Sequence, residues 1–328
     1  MKWRKQLSLT LVAVMSTIAI TACSSSGKDD EEVSLKVGYN LWVGSAGLYI
    51  ADAKGYFKEA GLNVKLSEFA SPTESAQALL TGNVDIASTT FDTAVMVKSS
   101  EQEGQDLKFF RISDQSAGAD GLVAKDGIAS IADLKGKTVA VTIGAVNHFL
   151  LSHALQTVGL TDADVNLTST GPEQTGPLFL TGKVDAAVTW EPYLSEAGAA
   201  GGNILYSTKD APDLIIDGDM TSAKLIEEHP DALRKYAEAI EKGTQFYLTN
   251  PDEAAQIVAE KLSATKEDVI AMMDGVKLTS EEEGRAWLTD KQDELAKRTA
   301  EFSDFFLQRD LIKTPVDGAS LLDGFLYR

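Results

Sequence analysis

One short sequence unit occurs twice in this chain, one hundred residues apart, and it limits the folds that the chain can form. The copies are LTGNVDIASTTFD at Leu80–Asp92 and LTGKVDAAVTWEPYL at Leu180–Leu194. The Thr-Gly pair in each is typical of a helix end, because glycine takes the left-handed conformation without steric cost. The apolar runs that follow, Val84–Ala87 and Val184–Val188, predict short strands buried in a parallel sheet.

The sequence around the unit is also repeated in order: strand, loop, helix, glycine, strand, helix. The distance from the first glycine stop to the LTG glycine is 21 residues in one copy, Gly61 to Gly82, and 23 in the other, Gly159 to Gly182. The repeat predicts an α/β fold with two similar lobes. In open α/β sheets ligands bind beyond the carboxyl ends of the strands, so we expect Ser88–Asp92 and Thr189–Pro192 at one shared cleft.

Two stretches have no duplicate partner and are interpreted as crossings between the lobes, Ser116–Ala124 and Leu214–Ser222. Gly118, Gly121 and Gly218 are expected to let these crossings act as a hinge. This gives a first lobe of residues 33–117 and 220–328 and a second lobe of residues 118–219. Apolar residues at helical spacing after residue 228 predict helices that pack on the first lobe.

The N-terminal residues indicate export. A basic start, Lys2–Lys5, precedes the apolar run Leu7–Ile20, and Ile20–Cys23 resembles a bacterial lipobox. We expect residues 1–22 to be a lipoprotein signal peptide, Cys23 to be acylated, and residues 23–32 to be a flexible tether. The expected location is extracytoplasmic, with the membrane reached only through the lipid. The alternative is an ordinary signal peptide with an incidental cysteine.

Charge excludes one class of partner. The formal charge is −19, and removing residues 1–22, which hold three basic and no acidic side chains, makes it −22. Nucleic-acid binding depends on Lys and Arg neutralising phosphates, so we expect none. Cys23 is the only cysteine, so no intramolecular disulfide is possible and the fold must be held by its apolar core. We also expect the protein to be a monomer.

Four segments resemble one known family. They are GLYIADAKGYFKEAGLNVKL, ALLTGNVDIAST, SIADLKGKTVAV and FLTGKVDAAVTWEPYL, and they are similar to the nitrate/sulfonate/taurine substrate-binding proteins of ABC importers. The resemblance implies a type II periplasmic-binding-protein fold, in which two Rossmann-like lobes close on one small solute. It also implies an ABC permease and its ATPase as partners.

The predicted ligand contacts lie in the loops before helices and after strands. Ser45–Gly47 and Gly144–Val146 each precede a helix, where free backbone N–H groups suit an oxyanion such as a sulfonate. In the family the Trp-Glu-Pro segment lies at the cleft, so Glu191 is the first expected contact. The full predicted set is Trp42, Ser45, Ala46, Thr89, Thr90, Asp92, Asp114, Gly144, Ala145, Trp190 and Glu191.

The chain departs from the sulfonate binders in its acidic loops. Their Ser-Thr-Gly-Asp loop appears here as Ser88–Asp92, with Phe91 before the acid, and Asp114 and Asp120 flank Gln115–Ala119. Few basic residues fall near the predicted cleft. We therefore expect a solute with an amine, such as a taurine-like aminosulfonate, rather than nitrate. An amino-pyrimidine or other nitrogen-rich heterocycle is the alternative.

Other classes of function are less consistent with the sequence. The histidines are His148, His153 and His229, and neither GxSxG nor HExxH occurs. We therefore expect no enzyme activity, no metal site and no cofactor. A ligand-sensing module for a signalling partner remains the alternative from a different class.

Overall fold

The computed structural model of the chain describes residues 33–328. The expectations for the signal peptide, for Cys23 and for the tether at residues 23–32 lie outside the described residues. Among residues 33–328, none of the helices combines the length and the apolar character that crossing a membrane requires.

Strands and helices alternate through the first two thirds of the described chain, and helices dominate the last third. The strands are β1 Val33–Asn40, β2 Leu62–Phe69, β3 Ile86–Thr90, β4 Leu107–Ser116, β5 Asp120–Ala124, β6 Thr138–Val141, β7 Asn166–Ser169, β8 Ala186–Trp190, β9 Asn203–Ser207, β10 Ile216–Ser222 and β11 Val276–Leu278. The helices are α1 Ala46–Ala53, α2 Tyr56–Glu59, α3 Pro72–Leu80, α4 Phe91–Lys98, α5 Val146–Gln156, α6 Thr175–Leu180, α7 Tyr193–Ala199, α8 Ala223–Glu228, α9 Pro230–Thr249, α10 Pro251–Leu262, α11 Lys266–Met273, α12 Glu281–Thr289, α13 Gln292–Leu307 and α14 Gly318–Leu321.

These strands form two sheets whose central parts repeat each other. The six-stranded sheet has the order β11-β4-β10-β3-β1-β2, and the five-stranded sheet has the order β7-β6-β8-β5-β9. In the first, β3 lies between parallel β1 and antiparallel β10. In the second, β8 lies between parallel β6 and antiparallel β5. We call the six-stranded sheet with its helices the first lobe and the five-stranded sheet with its helices the second lobe. The α/β fold with two Rossmann-like lobes is confirmed.

The repeated LTG unit ends its two helices in the same way. The amide of Gly82 donates to Leu79 O at 2.9 Å, and that of Asn83 donates to Ala78 O at 2.8 Å. Gly182 and Lys183 make the matching bonds at the end of α6, at 2.8 and 3.2 Å. Both glycines have positive φ, +73° and +70°, which is the conformation that this helix ending requires.

The aspartate of each LTG unit fixes the strand that follows. The Asp85 carboxylate accepts from the backbone N–H of Lys36 at 2.8 Å, and the Asp85 amide donates back to Lys36 O at 2.8 Å. Asp185 makes the same pair of bonds with Thr138, each at 2.9 Å. The aspartate therefore sets the register of β3 against β1, and of β8 against β6.

Both strands begin two residues later than the sequence predicts, and they end three residues later in β3 and two in β8. We expected Val84–Ala87 and Val184–Val188, whereas β3 is Ile86–Thr90 and β8 is Ala186–Trp190. The antiparallel partners β10 and β5 pair with the whole of these segments. Ser88, Thr89 and Thr90 therefore belong to a strand, and α4 begins directly after them.

The crossings between lobes are shorter than expected. Only residues 117–119 and 208–215 lie between strands of different sheets. Gly118 has a φ of +136° in the first crossing, and its amide donates to Thr208 Oγ1 in the second at 2.7 Å. Gly121 and Gly218 lie inside paired strands instead, where an added Cβ would come within 3.1 Å of Tyr206 O and 2.0 Å of Arg111 O. The hinge prediction for these two glycines is wrong, because they are required for close strand packing.

The C-terminal helices pack on the first lobe, as predicted. Tyr236 of α9 is fully buried and stacks on Phe57 with ring centroids 5.6 Å apart. Phe302 of α13 lies edge-on to Phe91, the first residue of α4, at 6.4 Å. The α9 helix packs in the core cluster that contains Ile86 and Phe110, and α13 packs in the cluster that contains their strand neighbours Ala87 and Phe109. Successive strand residues point to opposite faces, so the C-terminal helices help to bury both faces of the six-stranded sheet.

Candidate functional site

A cleft with about 640 Å³ of empty space, part of it open to solvent, lies between the two lobes. It is located where the duplicated strands β3 and β8 end. Its lining comes from both lobes: Asn40, Trp42, Ser45, Ser71, Pro72, Thr73, Ser88, Thr89, Thr90, Thr93, Asp120, Ala145, Val146, Asn147, Trp190, Ile215 and Asp217.

The N-terminus of α3 forms part of the first-lobe wall. Ser71 is the N-cap, and its hydroxyl accepts from the amide of Glu74 at 3.1 Å. Pro72 occupies the first helical position, and Thr73 follows it in the cleft lining. The first backbone N–H groups of a helix have no partner within the helix, and its dipole favours negative charge there. Pro72 has no N–H and the Glu74 N–H is bonded to Ser71, so the Thr73 N–H is the backbone donor that this end of α3 can offer an oxyanion.

The N-terminus of α5 faces the same cleft from the second lobe. Its N-cap residue, Ala145, has extended backbone and no side chain that could cap the helix. Val146 and Asn147 follow in the lining. The Nδ2 of Asn147 is buried without a hydrogen-bond partner among the described residues, and the residue is 2% exposed. A buried unpaired donor is unfavourable unless a ligand accepts from it.

Hydroxyl groups cover most of the remaining first-lobe wall. The Thr90 hydroxyl donates to Thr93 Oγ1 at 2.9 Å, and the Thr89 hydroxyl donates to Pro72 O at 3.1 Å. These bonds fix the two side chains, and they leave the Thr93 hydroxyl able to donate its own proton. Ser45 and Ser88 complete this wall.

Two tryptophans provide the apolar surface of the cleft. Trp42 is 9% exposed and Trp190 is 8% exposed. The Trp42 indole N–H donates to Asp114 Oδ2 at 2.8 Å, which fixes the ring against β4. Trp190 is the last residue of β8 and pairs with Asp120 of β5. The flat faces of these rings can pack on a small planar or aliphatic group.

Carboxyl groups supply the only formal charges in the described lining. Asp120 and Asp217 line the cleft, and neither Lys, Arg nor His is among the residues of 33–328 that do so. Burial, and then the charges of Asp114, Glu191 and Asp92, raise the pKa of Asp120 to about 7. Burial and the charge of Asp114 also raise the pKa of Asp217 well above its usual value. The cleft thus offers donors on two helix ends and acceptors near the crossings.

Six predicted contacts line the cleft: Trp42, Ser45, Thr89, Thr90, Ala145 and Trp190. Asp114 lies behind Trp42 and is fully buried. Asp92 is 1% exposed in the first turn of α4, where burial raises its pKa to about 6. These two acids contribute charge to the cleft without lining it.

Three other predicted contacts have structural surroundings that explain them differently. Ala46 is fully buried in the core of the first lobe. Gly144 has a φ of +82°, and an added Cβ would meet Leu311 at 3.3 Å. The Glu191 carboxylate accepts from the amide and the hydroxyl of Ser195, at 3.0 and 2.8 Å, so it satisfies the start of α7 and does not line the cleft.

Sequence reasoning missed several lining residues, of which Asn147 and Asp217 are the most informative. The sequence identifies the segments that hold them. Asn147 lies in the predicted loop after the first strand of the second repeat, and Asp217 lies in the second crossing, Leu214–Ser222. The Ser71-Pro72 helix start is also visible as a cap, although a cap alone does not indicate a cleft. The repeat does not indicate that the starts of α3 and α5 share a cleft, because the two helices are not counterparts. The α3 helix follows the second strand of its repeat, β2, whereas α5 follows the first strand of its repeat, β6.

Comparison with known proteins places the chain in a family. A family model described as "NMT1/THI5 like" matches residues 42–254. A Bacillus subtilis protein assigned as an aliphatic sulfonates-binding protein is 26% identical over 96% of this chain and 94% of its own length. The taurine-binding periplasmic protein of Escherichia coli is 26% identical over 74% of this chain and 73% of its own length. The riboflavin-binding protein RibY of Chloroflexus aurantiacus is 30% identical over 68% and 64%.

Solved structures share the fold. The periplasmic aliphatic sulphonate binding protein SsuA from Escherichia coli superposes with a TM-score of 0.74 at 20% identity, covering 90% of this chain and 99% of that chain. The desulfurization enzyme DSZB superposes with a TM-score of 0.66 at 16% identity, covering 90% and 97%. Both binding proteins and an enzyme therefore use this architecture.

Proposed function

This chain belongs to the NMT1/THI5-like family, and on that premise we propose that it is the extracytoplasmic substrate-binding protein of an ABC importer. It captures one small solute between its lobes and delivers the solute to a membrane permease that an ATPase drives. The solute is a sulfonate, of the aminosulfonate class to which taurine belongs or a related alkanesulfonate.

One observation carries this proposal: an unpaired buried amide and two helix N-termini meet in a cleft between duplicated lobes. The three oxygens of a sulfonate can accept from the α3 end, from the α5 end and from Asn147 Nδ2. The donors belong to both lobes, so a bound sulfonate is bonded to both only when the cleft is closed. Differential affinity for the closed state is what drives closure.

The relatives support a binding role more than a catalytic one, although DSZB has the same fold. His148 lies beside the cleft but does not line it, because its Nε2 contacts Asp162 Oδ2 at 3.1 Å and its Nδ1 accepts from the Gly144 amide at 3.4 Å. We propose that the solute leaves the protein chemically unchanged. Mass spectrometry of taurine recovered after long incubation with the protein tests this, and a new product would contradict it.

Cys23 carries the proposal for location. An acylated Cys23 would hold the chain at the outer face of a bacterial membrane as a monomer, with the membrane reached only through the lipid. Metabolic labelling with a radioactive fatty acid should label the full-length chain and leave Cys23→Ala unlabelled. Equal labelling of the two would contradict lipidation at this residue.

A nitrogen-rich heterocycle is the second candidate solute, and two observations favour it. Trp42 and Trp190 both line the cleft and could enclose a flat ring. The similarity to a riboflavin-binding protein at 30% identity points in the same direction. In this alternative the acidic groups would accept hydrogen bonds from ring amines.

A thermal-unfolding panel separates these candidates. The solutes are taurine, ethanesulfonate, nitrate, an amino-pyrimidine and riboflavin, each tested at increasing concentration on the same preparation. A solute present at 100 times its dissociation constant stabilises the folded state by about 2.7 kcal/mol, which raises Tm by about 5 °C for a chain of this size. Stabilisation by a sulfonate supports the main proposal. Stabilisation by the heterocycles alone supports the second candidate, and no response to any solute contradicts both.

A further inference from the structure

Two carboxyl groups face the cleft from opposite lobes. Asp120 is the first residue of β5, the strand that enters the second lobe. Asp217 is the second residue of β10, the strand that returns to the first lobe. They are 4% and 9% exposed, and both line the cleft.

The strand pairing places further acids beside these two. Asp217 of β10 is paired with Asp114 of β4 on one side and with Thr90 of β3 on the other. Asp92 follows Thr90 by two residues, and neither of its carboxylate oxygens has a hydrogen bond of acceptable geometry to a described residue. Asp92 and Asp114 are buried, so four carboxyl groups share a region with little water to screen them.

No basic side chain in the described part of the chain faces this group across the cleft. Arg111 is the basic residue whose charge acts on Asp114. Its guanidinium lies 3.4 Å from Asp219, and it is not part of the cleft lining. Asp217 hydrogen-bonds the Asp114 carboxyl, and Asp120 hydrogen-bonds the Ser116 hydroxyl. Neither lining acid meets a basic side chain across the cleft among the described residues, so the solute can supply the positive charge.

Another part of the cleft lining independently indicates a ligand. Asn147 Nδ2 is buried and unpaired, and the residue lies at the N-terminus of α5. The same cleft therefore holds a free donor at Asn147 and acceptors at Asp120 and Asp217. A solute with an anionic end and a protonated nitrogen matches both of them.

We propose that the solute carries a protonated nitrogen, and that Asp120 from one lobe and Asp217 from the other bind it together. This inference rests on the proposed function, because it assumes that the cleft holds the sulfonate. It deepens that function in two ways: it limits the solute to aminated sulfonates, and it makes the nitrogen a link between the lobes. Without the nitrogen, the carboxyl groups repel each other or must hold protons, and the closed state is disfavoured.

Proton exchange should accompany binding. Groups on every neighbouring element affect Asp120: Asp92 on α4, Asp114 and the Ser116 hydroxyl on β4, Asp217 on β10, and Glu191 after β8. Burial and these charges raise the pKa of Asp120 to about 7, so the free protein holds a proton there near neutral pH. A bound cation favours the ionised carboxylate, and the proton is released. The affinity for an amine should therefore rise between pH 6 and pH 8.

The experiment compares two solutes of nearly identical shape. Taurine ends in a protonated amine, and isethionate carries a neutral hydroxyl at the same position. Calorimetric titration of the full chain should give at least tenfold tighter binding for taurine, with proton release when two buffers of different ionisation enthalpy are compared. Asp120→Asn and Asp217→Asn should each weaken taurine at least tenfold and leave isethionate unchanged or tighter. Asp52→Asn, which removes an exposed acid of the first lobe, should change neither.

The possible results separate this inference from the function beneath it. Equal binding of taurine and isethionate by the wild-type protein would overturn the inference alone, whatever the variants do. Failure of every sulfonate would overturn both. Stabilisation by Ca²⁺ or Zn²⁺ without any organic solute would also overturn the inference, since the carboxyl groups would then serve a metal. The wild-type comparison needs no variant, so the test holds even if an Asn variant does not fold.

Discussion

Arg309 of the first lobe binds Asp162 of the second. The guanidinium Nε and Nη2 donate to Asp162 Oδ2 at 3.0 and 2.6 Å. Ser152 donates to the other carboxylate oxygen at 2.6 Å, and His148 Nε2 contacts Oδ2 at 3.1 Å. Arg309 follows α13, so this ion pair joins the C-terminal helices to the second lobe outside the hinge.

Arg309→Gln should loosen this connection between the lobes. The two side chains are 23% and 21% exposed, so the pair is stronger than a surface ion pair, and its loss should lower the free energy of unfolding by about 1–3 kcal/mol. Small-angle scattering of the ligand-free variant should show a larger radius of gyration, because the open form gains population. Arg298→Gln removes a pair within α13 and serves as the matched control. An unchanged radius would show that the pair does not influence closure.

The acid Asp120 should make the ligand-free protein less stable as pH rises. Its pKa is about 7 in the folded state because of burial, whereas the pKa of an aspartate in the unfolded chain is about 3.9. Between these values the folded state binds the additional proton, so the contribution of Asp120 to stability falls from about pH 4 to about pH 7 and is constant above.

Denaturant unfolding of the ligand-free protein from pH 5 to pH 8 tests this sign. Asp120→Asn should make the decrease smaller by the share of Asp120, while Asp92, whose pKa is about 6, keeps its own share. The variant should be more stable than wild type at pH 8, by on the order of 2 kcal/mol. Asp52→Asn should follow the wild-type curve. A variant with the wild-type slope would mean that Asp120 is ionised in the free protein.

Asn147→Ala should weaken sulfonate binding and leave the fold intact. The side-chain Nδ2 of Asn147 has no hydrogen-bond partner in the free protein, so its removal breaks no existing hydrogen bond. It does remove one bond to the ligand, which is worth about 1.4 kcal/mol or tenfold in affinity. Calorimetry and thermal unfolding of the same preparation check both parts. Asn63→Ala, at an exposed position of β2, is the control, and unchanged affinity in Asn147→Ala would remove this residue from the site.

Asp85→Ala should lower the stability of the fold and leave ligand binding unchanged, which is the reverse of the result expected for Asn147→Ala. Its carboxylate accepts from the backbone N–H of Lys36, and a hydrogen bond to a charged group contributes about 1.5–3 kcal/mol. We expect a loss of stability within that range and no change in the affinity for taurine, since Asp85 is outside the cleft. Asp185→Ala should behave alike because it makes the same bond to Thr138. If either variant lost affinity without losing stability, a structural role for this aspartate would be contradicted.

The repeated architecture could be predicted because its signals are local. A glycine that ends a helix and the Val-Asp strand after it need only a few neighbouring residues, so Gly82 and Gly182 indicate both lobes from sequence alone. The family resemblance uses the same segments, and both lines of argument give the α/β fold that the structure has.

The contents of the cleft were harder to predict, because they depend on pairing between distant segments. Asp217 reaches the lining through the pairing of β10 with β3 and β4, which are more than a hundred residues earlier in sequence. Glu191 follows a strand as expected, but Ser195 on the next helix turn binds its carboxylate. Neither outcome can be predicted from a pattern of residue types. The excess of acidic residues near the crossings can, because it requires only the sequence.

The central claim is that one small aminated sulfonate binds between the lobes and contacts both of them. A crystal structure of the protein grown with taurine tests it most directly. The account predicts density for one taurine in the cleft, with its sulfonate within hydrogen-bond distance of Asn147 Nδ2 and its amine between Asp120 and Asp217. Taurine bound with its amine directed away from these two carboxylates, or bound outside the cleft, would contradict the account.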